Sequence, residues 1–301
     1  MRKRLQEIVV ISGKGGTGKT SITASFAVLG GDDIVLADCD VDAADMHLLM
    51  EPHVQQTEAF FSGAIAKIDP DLCTGCGLCE EVCRFDAIFE QGDKYVIDPM
   101  NCEGCGYGPR VCPEAAIDMF DANVGDWYKS TTRLGTPLVH AKLGIGADNS
   151  GKLVTKVKDE AKRLAIAEEK PILLIDGPPG VGCPVVAALA GADYVIIVSE
   201  PTVSGIHDLK RVQELIEKFR IRSGCIINKF DINLDVTAEI KEFLSNAGID
   251  HISDIPYDTT FTKAMTEGKT LIEYSSNGTG QYLSTSWHKI KQLIQLESEK
   301  K

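Results

Sequence analysis

The chain has 301 residues, 44% of them hydrophobic and 25% charged, with a net charge of −13. Such a length holds one large α/β domain plus a small insert, and the acidic balance argues against a general binder of nucleic acid or anionic membranes. No stretch approaches membrane-spanning length, and the segment after the basic N-terminus is too short for a signal peptide, so a cytoplasmic protein is expected.

Glu7–Ser12 is a short Ile- and Val-rich run and reads as a buried parallel strand. GKGGTGKT at 13–20 follows it directly and fits the P-loop pattern, with a helix leaving over Lys19–Leu29. Gly13, Gly15, Gly16 and Gly18 let backbone N–H groups turn inward around phosphate oxygens, with Lys14 and Thr17 in the same cradle. Lys19 is expected to reach the β and γ phosphates and the Thr20 hydroxyl to bind Mg²⁺, while the helix N-terminus faces the same anion. Ile34–Asp38 is a second strand, running into Asp38-Cys39-Asp40.

From Gly63 to Asp121 the α/β rhythm stops. Twelve acidic side chains stand against four basic ones there, and seven of the ten cysteines fall between Cys73 and Cys112. In a reducing compartment such cysteines point to metal or redox use, not disulfides. CTGCGLCEEVC at 73–83 and CEGCGYGPRVC at 102–112 align without gaps as an internal repeat. The C-x₂-C-x₂-C-x₃-C spacing resembles a two-cluster ferredoxin, in which the fourth cysteine serves the other cluster. That resemblance implies a [4Fe–4S] cluster I on Cys73, Cys76, Cys79 and Cys112. It implies a cluster II on Cys83, Cys102, Cys105 and position 108. Position 108 is Gly, so cluster II is a [3Fe–4S] cluster, a [4Fe–4S] cluster lacking one thiolate, or unfilled. Zinc is the alternative metal for soft thiolates.

The α/β pattern resumes with a helix at Leu153–Glu168 and strands at 172–176 (ILLID), 194–199 (YVIIVS) and 225–228 (CIIN). Helices are expected over 205–219, 235–246 and 260–268. This alternation predicts a mostly parallel sheet flanked by helices, its ligand site beyond the carboxyl ends of the strands. The expected fold is an α/β P-loop NTPase domain of residues 1–62 and 122–301, with a small α+β ferredoxin-like insert at 63–121. Asp176 ends ILLID, where a carboxylate can hold Mg²⁺ through water. Asn228-Lys229-Phe230-Asp231 fits both an adenine site and the N-K-x-D by which many GTPases read guanine. Cys39 and Cys225 read as packing residues, whereas Cys183 falls seven residues after Asp176, like a cluster ligand of nitrogenase iron proteins. Leu283, Trp287, Ile290 and Leu293/Ile294 share one face of a last helix, which reads as packed on the sheet.

Lys14, a second lysine early in KGGTGKT, resembles the signature of the deviant Walker A ATPases: MinD, ParA, Mrp and the nitrogenase iron proteins. Over its whole length the chain resembles MinD/Mrp-type ATPases with an inserted ferredoxin domain, described as nucleotide-binding proteins of the cobyrinic acid a,c-diamide synthase type. The resemblance implies ATP and an ATP-dependent face-to-face dimer, with itself or with a paralogue, in which Lys14 reaches the partner's nucleotide. It also implies that Asp40 positions the attacking water and that Asp38 lies beside Mg²⁺. Asp176–Gly180 would act as a second switch, with Asn228 against adenine and the loop at Pro256 closing over the base. ATP is therefore expected over GTP. The main functional expectation is an ATPase that couples dimer closure to iron–sulfur electron transfer, or to cluster delivery to a redox or cluster-accepting partner. The alternative is a MinD/ParA-like spatial organiser whose cysteine insert is a sensor or structural element. An amidotransferring synthetase finds no substrate motif, and neither nucleic acid nor membrane is an expected partner.

Overall fold

A computed structural model of the chain describes residues 4–144, 150–275 and 277–298. The chain folds as two compact units: Met1–Glu58 with Trp127–Lys142 and Ser150–Lys301, and Ala59–Asp126 with Leu143–Asn149. Eleven strands are described: β1 (Gln6–Ser12), β2 (Ile34–Asp38), β3 (His53–Ile68), β4 (Ile88–Gln91), β5 (Lys94–Ile97), β6 (Ile117–Thr131), β7 (Pro137–Leu143), β8 (Ile172–Pro179), β9 (Tyr194–Ser199), β10 (Arg222–Asn228) and β11 (Asp250–Ile255).

Nine of them form one sheet in the order β11-β10-β9-β1-β8-β2-β7-β6-β3. From β11 to β7 every neighbouring pair is parallel. The central strands carry apolar side chains towards both helical layers, so Ile8–Ile11, Ile34–Ala37 and Leu173–Ile175 are fully buried. This α/β architecture is the one the alternating pattern predicts. The phosphate loop leaves the central strand β1, and the carboxyl ends of β2 and β10 converge beside it.

Four strands of this sheet lie outside the predicted ones: β3 and β6, of 16 and 15 residues, the seven-residue β7, and the six-residue β11. β3 is an edge strand, and its stretch from His53 to Ala59 is exposed on both faces. No period-2 apolar pattern can mark such a strand, because backbone pairing rather than face burial holds it.

The last helix, Thr279–Ser298, packs inward. Leu283, Trp287, Ile290 and Ile294 are buried, and Trp287 stacks on Phe26 of the helix Lys19–Gly30 at 5.3 Å between ring centroids. Among the described residues no helix is long and apolar enough to cross a membrane. Since Trp287 ties the last helix to the helix that follows the phosphate loop, Trp287→Ala is expected to destabilise the protein by about 3–5 kcal/mol. A urea-unfolding midpoint checks this, and an unchanged midpoint would mean that the helix is not part of the core.

The smaller unit has its own core of Ala66, Cys79, Ile88 and Ile117, with Cys83, Tyr95, Cys102 and Cys112 packed against it. β4 and β5 pair as an antiparallel hairpin there.

Candidate functional site

Ser12 ends β1, and the chain turns through 13–18 into the helix Lys19–Gly30. Gly16 and Gly18 take φ of 79° and 90°, a left-handed backbone that other residues adopt only under strain. A Cβ on Gly18 would lie 2.6 Å from Asn228 Nδ2, whereas at Gly15 and Gly16 it would meet nothing within 4 Å. The loop is thus clamped at its end and open along its middle, the form a phosphate cradle needs. Thr17 Oγ1 is buried there with no hydrogen-bond partner among the described residues, a polar atom that the loop itself leaves unsatisfied.

Behind the loop, one lysine is shared among carboxylates. Lys19 Nζ lies 2.9 Å from Asp176 Oδ1 and 3.4 Å from Asp40 Oδ2. Thr20 and Thr23 donate hydroxyl hydrogen bonds to Asp176 at 2.8 and 3.0 Å. Asp38 stands in register with Asp176 on the neighbouring strand and accepts from the Asp40 amide at 3.1 Å. Burial, then repulsion from Asp176, push Asp38 well above the usual carboxylate range. Burial also raises Asp40 against the pull of Lys19. For Lys19, burial lowers the pKa, but Asp176 and Asp40 outweigh it and keep the ammonium charged. Carboxylates crowded behind a single ammonium, two of them raised by burial and by their acidic neighbours, suit a divalent cation. Among the described residues, though, no three His, Cys, Asp or Glu side chains come close enough to hold a single metal ion. Mg²⁺ is commonly held by one or two carboxylates together with substrate phosphates, so an open half-site fits it.

His140 on β7 stands in register with Asp38 on β2, donates to or accepts from Ser130 Oγ at 2.8 Å, and stacks on Tyr128. Burial, with His47 adding to it, pushes its pKa down to about 4. A base whose folded pKa is depressed costs stability as pH falls through the gap, here from the ordinary value of 6.5 to about 4. His140→Gln is expected to flatten the decline of unfolding free energy across that window, as read by denaturant titrations at successive pH values.

Lys14 is held within its own chain. Its ammonium lies 2.6 Å from Glu200 Oε1 and donates to Thr202 Oγ1 and Ser204 Oγ at 3.1 and 3.0 Å. Lys229 Nζ takes the other Glu200 oxygen at 3.0 Å and also reaches the Gly16 carbonyl at 3.3 Å. Burial raises the Glu200 pKa, but hydrogen bonds from Lys14 and Lys229 outweigh it and hold the carboxyl below its usual range. Glu200 is not among the site residues expected from the sequence, and Lys229 enters there only as a member of the N-K-x-D motif. Their signal is position: each follows the carboxyl end of an apolar strand, β9 and β10, where the site lies.

Asn228 closes β10 against the loop, its Nδ2 donating to the Thr17 carbonyl at 2.8 Å and its Oδ1 accepting from the Lys229 amide at 3.0 Å. Asp231 accepts from the Tyr257 amide at 2.6 Å, joining the 229–232 turn to the loop that begins at Pro256. Gly180 donates its amide to the Ser12 carbonyl at 2.9 Å, so the turn after β8 is pinned to the end of β1.

The profile of the CobQ/CobB/MinD/ParA nucleotide binding domain matches residues 8–272. The chain belongs to this family. It is 33% identical over 292 residues to the uncharacterized protein MJ0578 of Methanocaldococcus jannaschii, covering 96% of this chain and 98% of that one. It is 28% identical over 272 residues to MJ0579 of the same organism, covering 89% and 92%. Among solved structures it resembles the cell division ATPase MinD of Pyrococcus furiosus, with a TM-score of 0.57, 19% identity and coverage of 96% and 99%. It also resembles the septum site-determining protein MinD of Pyrococcus horikoshii complexed with Mg-ADP, with a TM-score of 0.58, 18% identity and coverage of 96% and 97%. As a member of this family, the chain is a nucleotide-binding P-loop protein.

In the smaller unit the cysteines line two cavities. Cys73, Cys76, Cys79 and Cys112 border one. Cys83, Cys102 and Cys105 border the other, which also touches Cys79 and Gly108. Backbone N–H groups point at two of the sulfurs, Ala66 to Cys102 at 3.5 Å and Ala116 to Cys112 at 3.3 Å. Elsewhere, Cys39 and Cys225 are fully buried with thiols pushed up by burial, as packing residues should be, whereas Cys183 is exposed at the start of the helix Cys183–Leu189.

Proposed function

We propose that the chain is an ATP-driven switch of the MinD/ParA kind, which binds and hydrolyses MgATP and pairs face to face through its nucleotide site. The observation that carries this reading is the shared Lys19 ammonium, already gathered by Asp176 and Asp40 at the open phosphate loop. Lys19 would exchange Asp176 for the β and γ phosphates, and Thr20 and Asp176 would hold Mg²⁺, which neutralises the charge of the transferred phosphate. Asp40 would orient the attacking water. ATP is favoured over GTP because Asp231, the residue that would accept from guanine, is engaged by the Tyr257 amide.

The spatial-organiser cycle of assembly and release needs no more than this. A second reading is favoured by the two cavities lined by thiols: the smaller unit is an iron–sulfur module whose state the ATP cycle senses or gates. The donor set fits, being soft thiolates with N–H donors aimed at sulfur. Clusters held there would supply one-electron chemistry. A cluster brings several irons and sulfides, so its ligands surround a volume and need not converge on one point as ligands of a single ion do.

Light scattering on the anaerobically purified chain tests the switch. ATP is expected to convert monomer to dimer, ADP to leave monomer, and Asp40→Asn to accumulate dimer with hydrolysis lost. A mass that ignores nucleotide would overturn it. GTP competing as well as ATP would overturn the base preference, and EPR with and without ATP separates gating from a cluster that ignores the cycle.

A further inference from the structure

The two halves of the cysteine repeat share one backbone and differ at one ligand position. Gly75 and Gly77 have φ of 71° and 78°, and their counterparts Gly104 and Gly106 have 59° and 72°. Short helices then begin at equivalent places, Leu78–Glu81 and Tyr107–Val111. The first helix carries Cys79, and the second carries Gly108 at the matching position.

Packing does not demand that glycine. Its φ is not left-handed, unlike those of the four loop glycines. A Cβ built on it would meet only Ile117 Cδ1 at 3.5 Å and Ile88 Cδ1 at 3.8 Å, which is ordinary contact. A side chain can begin there in ordinary contact, and the sequence supplies none. Besides Cys83, Cys102 and Cys105, the cavity is bordered by Cys79, which belongs to the other ligand set, by Glu103, and by apolar side chains such as Ile88 and Ile97, so position 108 itself supplies no donor.

We propose that this second cavity is an exchange site for ferrous iron: it holds a cluster anchored by Cys83, Cys102 and Cys105, whose fourth iron is bound by no side chain of the chain. The proposal rests on the reading of the smaller unit as an iron–sulfur module. Oxidised, the site holds [3Fe–4S]⁺. One electron from an added reductant gives [3Fe–4S]⁰, and this takes up Fe²⁺ to give [4Fe–4S]²⁺, with charge and atoms conserved. Loss of the fourth iron reverses the second step. A solvent molecule or small thiol completes that iron, and no protein bond forms or breaks. The four-cysteine cavity lacks no thiolate, so the two clusters differ in iron lability within one chain.

The test uses the full chain, reconstituted anaerobically with iron and sulfide, as wild type, Gly108→Cys, Gly108→Ala, Glu103→Gln and the double variant Cys83→Ser/Cys102→Ser. After mild oxidation, wild type and G108A are expected to give the EPR signal of an oxidised three-iron cluster, which dithionite with Fe²⁺ removes. G108C is expected to lose that signal and to retain one more iron per chain against a chelator. Equal iron content and no three-iron signal in wild type and G108C would overturn the proposal. So would a three-iron signal found only in E103Q, because Glu103 borders the cavity and would then be holding the fourth iron. The double variant keeps the complete ligand set. If it binds a four-iron cluster while wild type binds nothing more, the exchange site fails and the iron–sulfur reading stands. If neither retains iron and sulfide, that reading itself fails.

Discussion

Lys19→Met is expected to abolish ATP turnover and, independently, to weaken the nucleotide-free protein. Loss of a positioned charge at a phosphoryl-transfer site lowers the rate by on the order of 10²–10³-fold or more. The stability effect follows from burial. The side chains of Lys19 and Asp176 are 6% and 1% exposed, so removing the lysine strands carboxylates with no compensating charge. Breaking a buried pair in this way costs about 3–5 kcal/mol. The pH dependence has a definite sign. Asp38 and Asp40 already sit above the usual carboxylate range, and without Lys19 they rise further. Carboxylates with raised folded pKa values cost stability as pH climbs from their unfolded range through the folded one. The deficit of Lys19→Met should therefore be large near neutral pH and shrink in mild acid. Urea titrations at the two pH values measure it, and a deficit independent of pH would show that the carboxylates are not what the lysine stabilises. Lys19→Met/Asp176→Asn is expected to recover part of the stability and none of the turnover, which separates the structural role of the pair from its chemistry.

The legible part of this site is the part written in consecutive residues. GKGGTGKT after an apolar strand specifies its own turn, because the glycines must supply left-handed φ and the helix must start where Lys19 does. Asp38, Asp40 and Asp176 were legible because Asp38 ends β2, Asp40 follows it, and Asp176 comes directly after the apolar run 172–175 of β8, and a parallel sheet brings such positions together. Glu200 and its pairing with Lys229 were not, although Lys229 stands in the N-K-x-D motif, because that pairing depends on which strands become neighbours. β9 and β10 lie adjacent in the sheet, and only that adjacency puts both side chains beside the loop. β3 escaped for another reason: an edge strand exposed on both faces has no hydrophobic period to read. In the smaller unit the repeat was legible down to the missing thiolate at Gly108. Whether glycine there was required by backbone strain or crowding was not legible, because that depends on the φ at position 108 and on the distance to Ile88 and Ile117.

Lys14 gives the other large effect. Lys14→Ala is expected to leave nucleotide binding nearly intact while removing ATP-dependent dimerisation and lowering turnover by on the order of 10²-fold. The reason is that Lys14 sits beside the phosphate loop but not in the buried Lys19–Asp176 network, and its side chain is 29% exposed. Within the single chain that ammonium is neutralised by Glu200, and to reach a partner's nucleotide it must leave this carboxylate. Glu200→Gln removes the charge that holds it. The Lys14–Glu200 pair is partly exposed, so its loss should change the unfolding free energy by no more than about 1 kcal/mol. Closing a homodimer releases one such pair in each protomer, so up to about 2 kcal/mol comes off the cost of closing, a gain in dimerisation of at most about 30-fold. Glu200→Gln should thus dimerise at several-fold lower protein concentration with ATP and show no gain with ADP. Lys14→Ala/Glu200→Gln should behave as Lys14→Ala alone, because Glu200 acts only through the lysine that it restrains. Sedimentation with ATP and with ADP distinguishes these outcomes. Dimerisation of Lys14→Ala equal to that of the wild type would remove Lys14 from the interface. A Glu200→Gln gain that persists without Lys14 would transfer the effect to Lys229, the other cation on the same carboxylate.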